Sequence, residues 1–121
     1  MVFNIKNNGD IELKQGDSDI LEFAFTDENQ NPIDLANSTL YFSVKSLVDD
    51  ANYFFQKVTT EHTDPGNGKT EVSVDSDDTA SYGTYLYDCV LVFANGVRDS
   101  FFPDSKAKTG KFIINRGVTN V

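Results

Sequence analysis

Carboxylates are the most frequent reactive side chains in this sequence, and two groups of them have ligand-like spacing. Asp17 and Asp19 form one D-x-D pair, and Asp75, Asp77 and Asp78 form a second cluster; Asp49 and Asp50 are adjacent. Oxygen donors at such intervals can hold Ca²⁺. The EF-hand loop, with its central Gly and terminal Glu, is absent from the sequence. Asp is also a natural turn and N-cap residue. Ser76-Asp77-Asp78-Thr79 reads as a short helical turn, so turn chemistry is expected and no metal site. His62 is the only histidine, within Thr60-Glu61-His62-Thr63-Asp64. A histidine base needs a nucleophile and an orienting partner, and no G-x-S-x-G elbow or Cys-His pattern supplies them. One His and one Cys also fall short of a zinc ligand set. A solvated loop histidine is expected. Cys89 follows Tyr87 and precedes Leu91 at period two, which places it on an apolar face as a core residue. Gly66 and Gly68 lack the Lys-Ser/Thr that completes a phosphate loop. No catalytic residue, cofactor or metal is expected, and no enzyme.

The elements that would position these residues are strands. No window shows apolar residues three and four apart with a polar opposite face, whereas period two recurs. From Asp19 to Thr26, Leu21, Phe23 and Phe25 alternate with Glu22, Ala24 and Thr26. Asp27-Glu28-Asn29-Gln30-Asn31-Pro32 then forms a dense turn signal. The next strand is Ser38 to Lys45, with Leu40, Phe42 and Val44 inward. Tyr53 to Thr60 is a further strand. Asp64-Pro65-Gly66-Asn67-Gly68 is a turn, and Thr70 to Ser76 follows with Val72 and Val74 inward. The longest strand is Thr84 to Ala94. Asn95-Gly96 ends it with a two-residue hairpin signal, since both residues tolerate positive φ, and Val97 to Phe102 returns. Gly110 to Asn115 is the last strand. An opening strand lies near Phe3 to Lys6 or Ile11 to Lys14.

Seven to nine short antiparallel strands in 121 residues predict one all-β domain, residues 1–121, of the immunoglobulin-like sandwich class, with a closed barrel as the alternative that the same strand spacing allows. Its core is rich in aromatics, drawn from ten Phe and five Tyr. Asp78-Thr79-Ala80-Ser81-Tyr82 has the spacing of a tyrosine corner, in which a hydroxyl bonds back across the turn. Tyr82 is the structural corner candidate, with Tyr85 as the alternative.

A net charge of −9 repels phosphate backbones, which sets nucleic acid aside as a partner. The N-terminus, Met1-Val2-Phe3-Asn4-Ile5-Lys6, carries no long apolar run, so neither a signal peptide nor a membrane anchor is expected. The Asn37-Ser38-Thr39 sequon is then a chance match. One face of the longest strand is Tyr85, Tyr87, Cys89, Leu91 and Phe93, assigned to the core. The other carries Leu86, Val90 and Val92, interrupted by Asp88. A solvated face should be polar. Either the final strand or the loop from Leu47 to Phe55 covers these three aliphatics, or they form an interface for self-association or a partner.

The strand motifs also follow a recognisable order. Gly16-Asp17 leads to Leu21 and Phe23, and Asp27 leads to Pro32-Ile33-Asp34-Leu35. Leu40-Tyr41-Phe42-Ser43-Val44-Lys45 follows, and then Asp78-Thr79-Ala80 through Gly83-Thr84-Tyr85-Leu86-Tyr87-Asp88. From about Gly16 to Ile114 the chain resembles the small immunoglobulin-like domains of tailed-phage structural proteins, including the N-terminal domain of baseplate upper proteins. The resemblance implies a non-catalytic virion component of the tail or baseplate, made in the host bacterial cytoplasm and held by contacts with other tail proteins or with itself. A carbohydrate-binding or adhesin-type module is the alternative; Tyr41, Tyr53 and Tyr87 would offer faces to sugars.

Overall fold

A computed structural model describes residues 2–4, 10–27, 29–46, 52–101 and 110–118. Nine strands run through them in chain order: β1 (Val2–Asn4), β2 (Ile11–Lys14), β3 (Asp19–Ala24), β4 (Thr39–Lys45), β5 (Phe55–Thr59), β6 (Lys69–Val74), β7 (Gly83–Val92), β8 (Arg98–Phe101) and β9 (Gly110–Asn115). A short 3-10 turn at Pro65–Asn67 is the only helical element among the described residues. The protein is all-β, as its period-two patterning predicts.

The strands form two sheets. One has three strands in the order β1-β3-β6; the other has six, in the order β2-β9-β7-β4-β5, with β8 also paired to β7. Antiparallel pairing throughout is the expectation, and two pairs correct it. β1 runs parallel to β3 and β2 parallel to β9. The opening segment explains both. Parallel neighbours need a long crossover between them, and the chain makes the first by passing from the three-stranded sheet into β2 of the other sheet and back to β3. Both opening strands therefore exist, one in each sheet.

Inward residues of both sheets meet in one core. Leu21, Phe23, Phe25, Leu40, Phe42, Val44, Val72, Val74, Cys89 and Leu91 are all buried, as their alternation predicts, joined by Ile11, Leu13, Leu35, Tyr85, Tyr87, Phe112 and Ile114. Phe42 is its centre. Its ring lies 5.6 Å from Phe23 of the three-stranded sheet, and 5.4 Å from Tyr87 and 6.1 Å from Phe112 in its own. The tilted rings match the geometry that aromatic quadrupoles favour, and burying each such side chain contributes about 1.5–3 kcal/mol.

Turn chemistry closes the strands. Asp27 accepts from the backbone N–H of Asn29 and Asn31 through Oδ1, at 2.9 and 3.0 Å. Gly68 has φ 71°, and its carbonyl accepts from Phe25 N–H at 2.8 Å. The Asn95-Gly96 hairpin differs from a two-residue turn. Only Gly96 has positive φ (86°), Phe93 N–H bonds to the Val97 carbonyl, and Asn95 Oδ1 accepts from Val97 N–H. Three residues thus span the turn, the second commonest hairpin solution, in which one left-handed glycine suffices.

Candidate binding groove

Alternation on β4, β5, β7 and β8 sends a second set of side chains to the outer face of the six-stranded sheet. Register places them in rows. Tyr41 is paired with both Val58 and Val90, and Val90 in turn with Ser100; Ser43 lies between Gln56 and Asp88; Lys45 faces Leu86; and Val92 faces Arg98. All of these but Val58 and Ser100 line a groove of about 480 Å³ among the described residues, with Tyr53 at one end and Arg98 at the other. That volume is within the range of small-molecule clefts, about 300–1,000 Å³.

Leu86, Val90 and Val92 are half-buried along the groove floor. Their apolar surface is not closed over by β9, whose own outward residues Lys111 and Ile113 lie beside Leu86 and Thr84. Of the expected loop cover, 47–51 fall outside the described residues, and Tyr53 and Phe54 are described. Tyr53 borders the groove, 49% exposed. Phe54 turns inward and stacks on Tyr85 with ring centroids 4.1 Å apart.

Polar groups converge on the groove's middle. Gln56 Nε2 donates to Ser43 Oγ at 3.0 Å. Lys45 Nζ stands 5.0 Å above the Tyr53 ring, a cation–π contact. Partial burial pushes the Asp88 carboxyl above its ordinary range, and the charge of Lys45 pulls it partly back. The arrangement combines an apolar floor, two aromatic rings and a desolvated carboxylate. No hydrogen bond between a nucleophile and a base occurs among its described residues.

Other predicted residues lie elsewhere. Tyr87 is 1% exposed in the core, so it offers no ring to a sugar. Tyr82 is 55% exposed, with Arg116 over its ring at 5.5 Å. The corner bond belongs to the alternative, Tyr85, whose hydroxyl donates to the Ser81 carbonyl at 2.9 Å. The reason is register: Tyr82 precedes β7, whereas Tyr85 sits at an inward position of it. Cys89 is buried, and desolvation, with Asp88 beside it, raises its thiol far above the reactive range.

His62 departs from the solvated loop residue expected. Its Nε2 lies 3.0 Å from the Ser38 carbonyl, an obligate acceptor, so Nε2 carries the proton; Nδ1 then accepts from Thr70 Oγ1 at 2.8 Å. Ser38 Oγ, 3.1 Å from Nε2, donates to the Leu35 carbonyl at 2.7 Å. With its proton committed to a carbonyl, Ser38 is not poised as a nucleophile. The imidazole clamps the approach to β4 onto β6. Ser38 and Thr70 are both buried, and no periodic signal in the sequence marks them as its partners.

The Asp75–Asp78 cluster acts as turn chemistry, whereas Asp49 and Asp50 lie outside the described residues. Asp78 Oδ2 accepts from Asp75 N–H at 2.8 Å and pairs with Lys57 Nζ at 2.7 Å, tying β5 to the turn after β6. No group of three metal-ligating side chains occurs among the described residues. Asp19 is the exception to good pairing: it is 3% exposed, and neither carboxylate oxygen has a hydrogen-bond partner among the described residues. No described helix is long and apolar enough to cross a membrane. Compared with known protein families and curated proteins, the chain matches none.

Proposed function

We propose that this protein is a non-catalytic assembly module of immunoglobulin-like sandwich architecture, working in the tail or baseplate of a tailed phage by docking other proteins on its outer sheet face. The observation that carries the reading is the groove floor. Leu86, Val90 and Val92 stand half-buried at period two on a face that a solvated sheet would make polar. Two sheets feeding one core support the sandwich, as does the Tyr85 hydroxyl bond at the entry to β7. The motif order quoted from Gly16 to Asp88 supports the phage assignment. Mass spectrometry of purified particles, released from the host whose genome encodes the chain, tests it. The chain is expected at stoichiometric level in the particles. Its absence from them removes the virion role.

A second reading has one observation in its favour. Tyr41 and Tyr53 border the groove together with Asp88, Ser43 and Gln56, a set of rings and hydrogen-bonding groups that suits a sugar. Binding above background on a glycan array, lost in Asp88→Ala, would support a carbohydrate-binding or adhesin-type module instead.

A further inference from the structure

The two outer faces of this protein are unlike in charge. On the six-stranded sheet, Lys14, Lys45, Arg98 and Lys111 face outward against Glu12 and Asp88, a local excess of cations in a chain of net charge −9. Arg98 closes one end of the groove, exposed, and makes no ion pair among the described residues. On the outward face of the three-stranded sheet the described carboxylates, Glu22 and Glu71, outnumber the described cation, Lys69. Glu22 of β3 and Glu71 of β6 are register partners, so two carboxylates stand directly across from each other on the outward face. Like charges so placed repel. No described cation pairs with either, and Lys69, two residues from Glu71 on the same face, bridges neither. Ile20 and Ala24 flank Glu22 on that face and give it an apolar margin.

A guanidinium in no described ion pair on one face thus matches two adjacent carboxylates in no described ion pair on the other, where Lys69 is their neighbour. Arg is the residue best shaped to bridge paired carboxylate oxygens. Resting on the reading of the outer sheet as a docking face, we infer that the groove is filled by the β3–β6 face of a second copy of the chain, with Arg98 of one copy seated between Glu22 and Glu71 of the next. The two patches lie on different sheets of one molecule, so the contact is heterologous. Copies add head to tail, into a ring if the rotation closes and a filament if it does not.

Sedimentation velocity of the 121-residue chain over a range of concentrations, at low and high salt, tests this. Species heavier than the 13.4 kDa chain are expected at low salt, dispersing as salt screens the contact. Glu22→Gln/Glu71→Gln and Arg98→Glu, each alone, should weaken self-association by about tenfold or more. Their mixture should give a 1:1 pair that grows no further, because each variant keeps one working face. A wild type that stays monomeric at every concentration overturns the inference. So does a dimer unaffected by Glu22→Gln/Glu71→Gln, which would be an isologous contact through the groove alone. The docking reading fails separately. If Leu86→Ser/Val90→Ser lowers the melting temperature sharply but leaves both mass and capture of virion proteins unchanged, the groove floor is only core. A monomeric wild type whose groove variant loses a virion partner would remove the second copy and leave the docking face standing.

Discussion

Tyr85 makes two contacts that a one-residue slip of register would destroy. Its ring stacks on Phe54 while its hydroxyl reaches the Ser81 carbonyl four residues back. Tyr85→Phe keeps the stack and loses the bond, so urea melts should show a loss of about 1 kcal/mol. Tyr82→Phe, at an exposed ring whose hydroxyl anchors nothing described, should overlay the wild type; the reverse pattern would return the corner to Tyr82. Asp19 makes a second residue-scale prediction. Burial raises its folded pKa above the ordinary 3.8. The ionised carboxylate is thus less favourable in the folded state than in the unfolded chain, which solvates it freely. A raised acid pKa means stability is regained as pH falls through the folded value, and the gain is complete below 3.8. Asp19→Asn should raise the melting temperature at about pH 7, and the difference should shrink towards about pH 3. Equal melts at neutral pH would mean that the carboxylate is better solvated than its 3% exposure indicates.

At the scale of elements, Gly68 governs how the three-stranded sheet meets the turn beside it. Its φ of 71° is left-handed, and a Cβ there would run into the Phe25 carbonyl and the Ile33 backbone. Both obstacles are main chain, already hydrogen-bonded to each other from Ile33 N–H to Phe25 O at 3.0 Å. Gly68→Ala combines a strained backbone with a collision that no rotamer can relieve. A loss of at least about 1–3 kcal/mol is expected in denaturant melts. Gly66→Ala is the control, because nothing lies within 4 Å of its added Cβ. A Gly68→Ala melt no lower than that of Gly66→Ala would mean the turn relaxes freely.

At the scale of the whole molecule, the groove decides whether this domain acts alone. If its floor is an interface, Leu86→Ser/Val90→Ser should leave the melt nearly intact, because both side chains are only half-buried and point to the outer face of the sheet, away from the core. Light scattering should then report a change in mass, or pull-down a lost partner. The aliphatics at Leu86, Val90 and Val92 are legible in the amino-acid sequence, because a strand's period of two assigns each residue to a face and the residue types on both faces are apolar. Leu21, Phe23, Leu40, Phe42 and Val44 are legible for the same reason: alternation is a local property, fixed by backbone geometry between neighbours. The two parallel pairs are not legible, since β1 with β3 and β2 with β9 depend on which sheet each opening strand joins, a choice made by long-range packing. The clamp at His62 is hidden in the same way, because its partners, Ser38 and Thr70, are 24 and 8 residues away. The opposition of Glu22 to Glu71 is likewise a matter of register between strands far apart in sequence. The sequence by itself determined which residues face in and where the chain turns. Only tertiary structure decided which strands become neighbours, because pairing is settled by contacts between segments that share no local period.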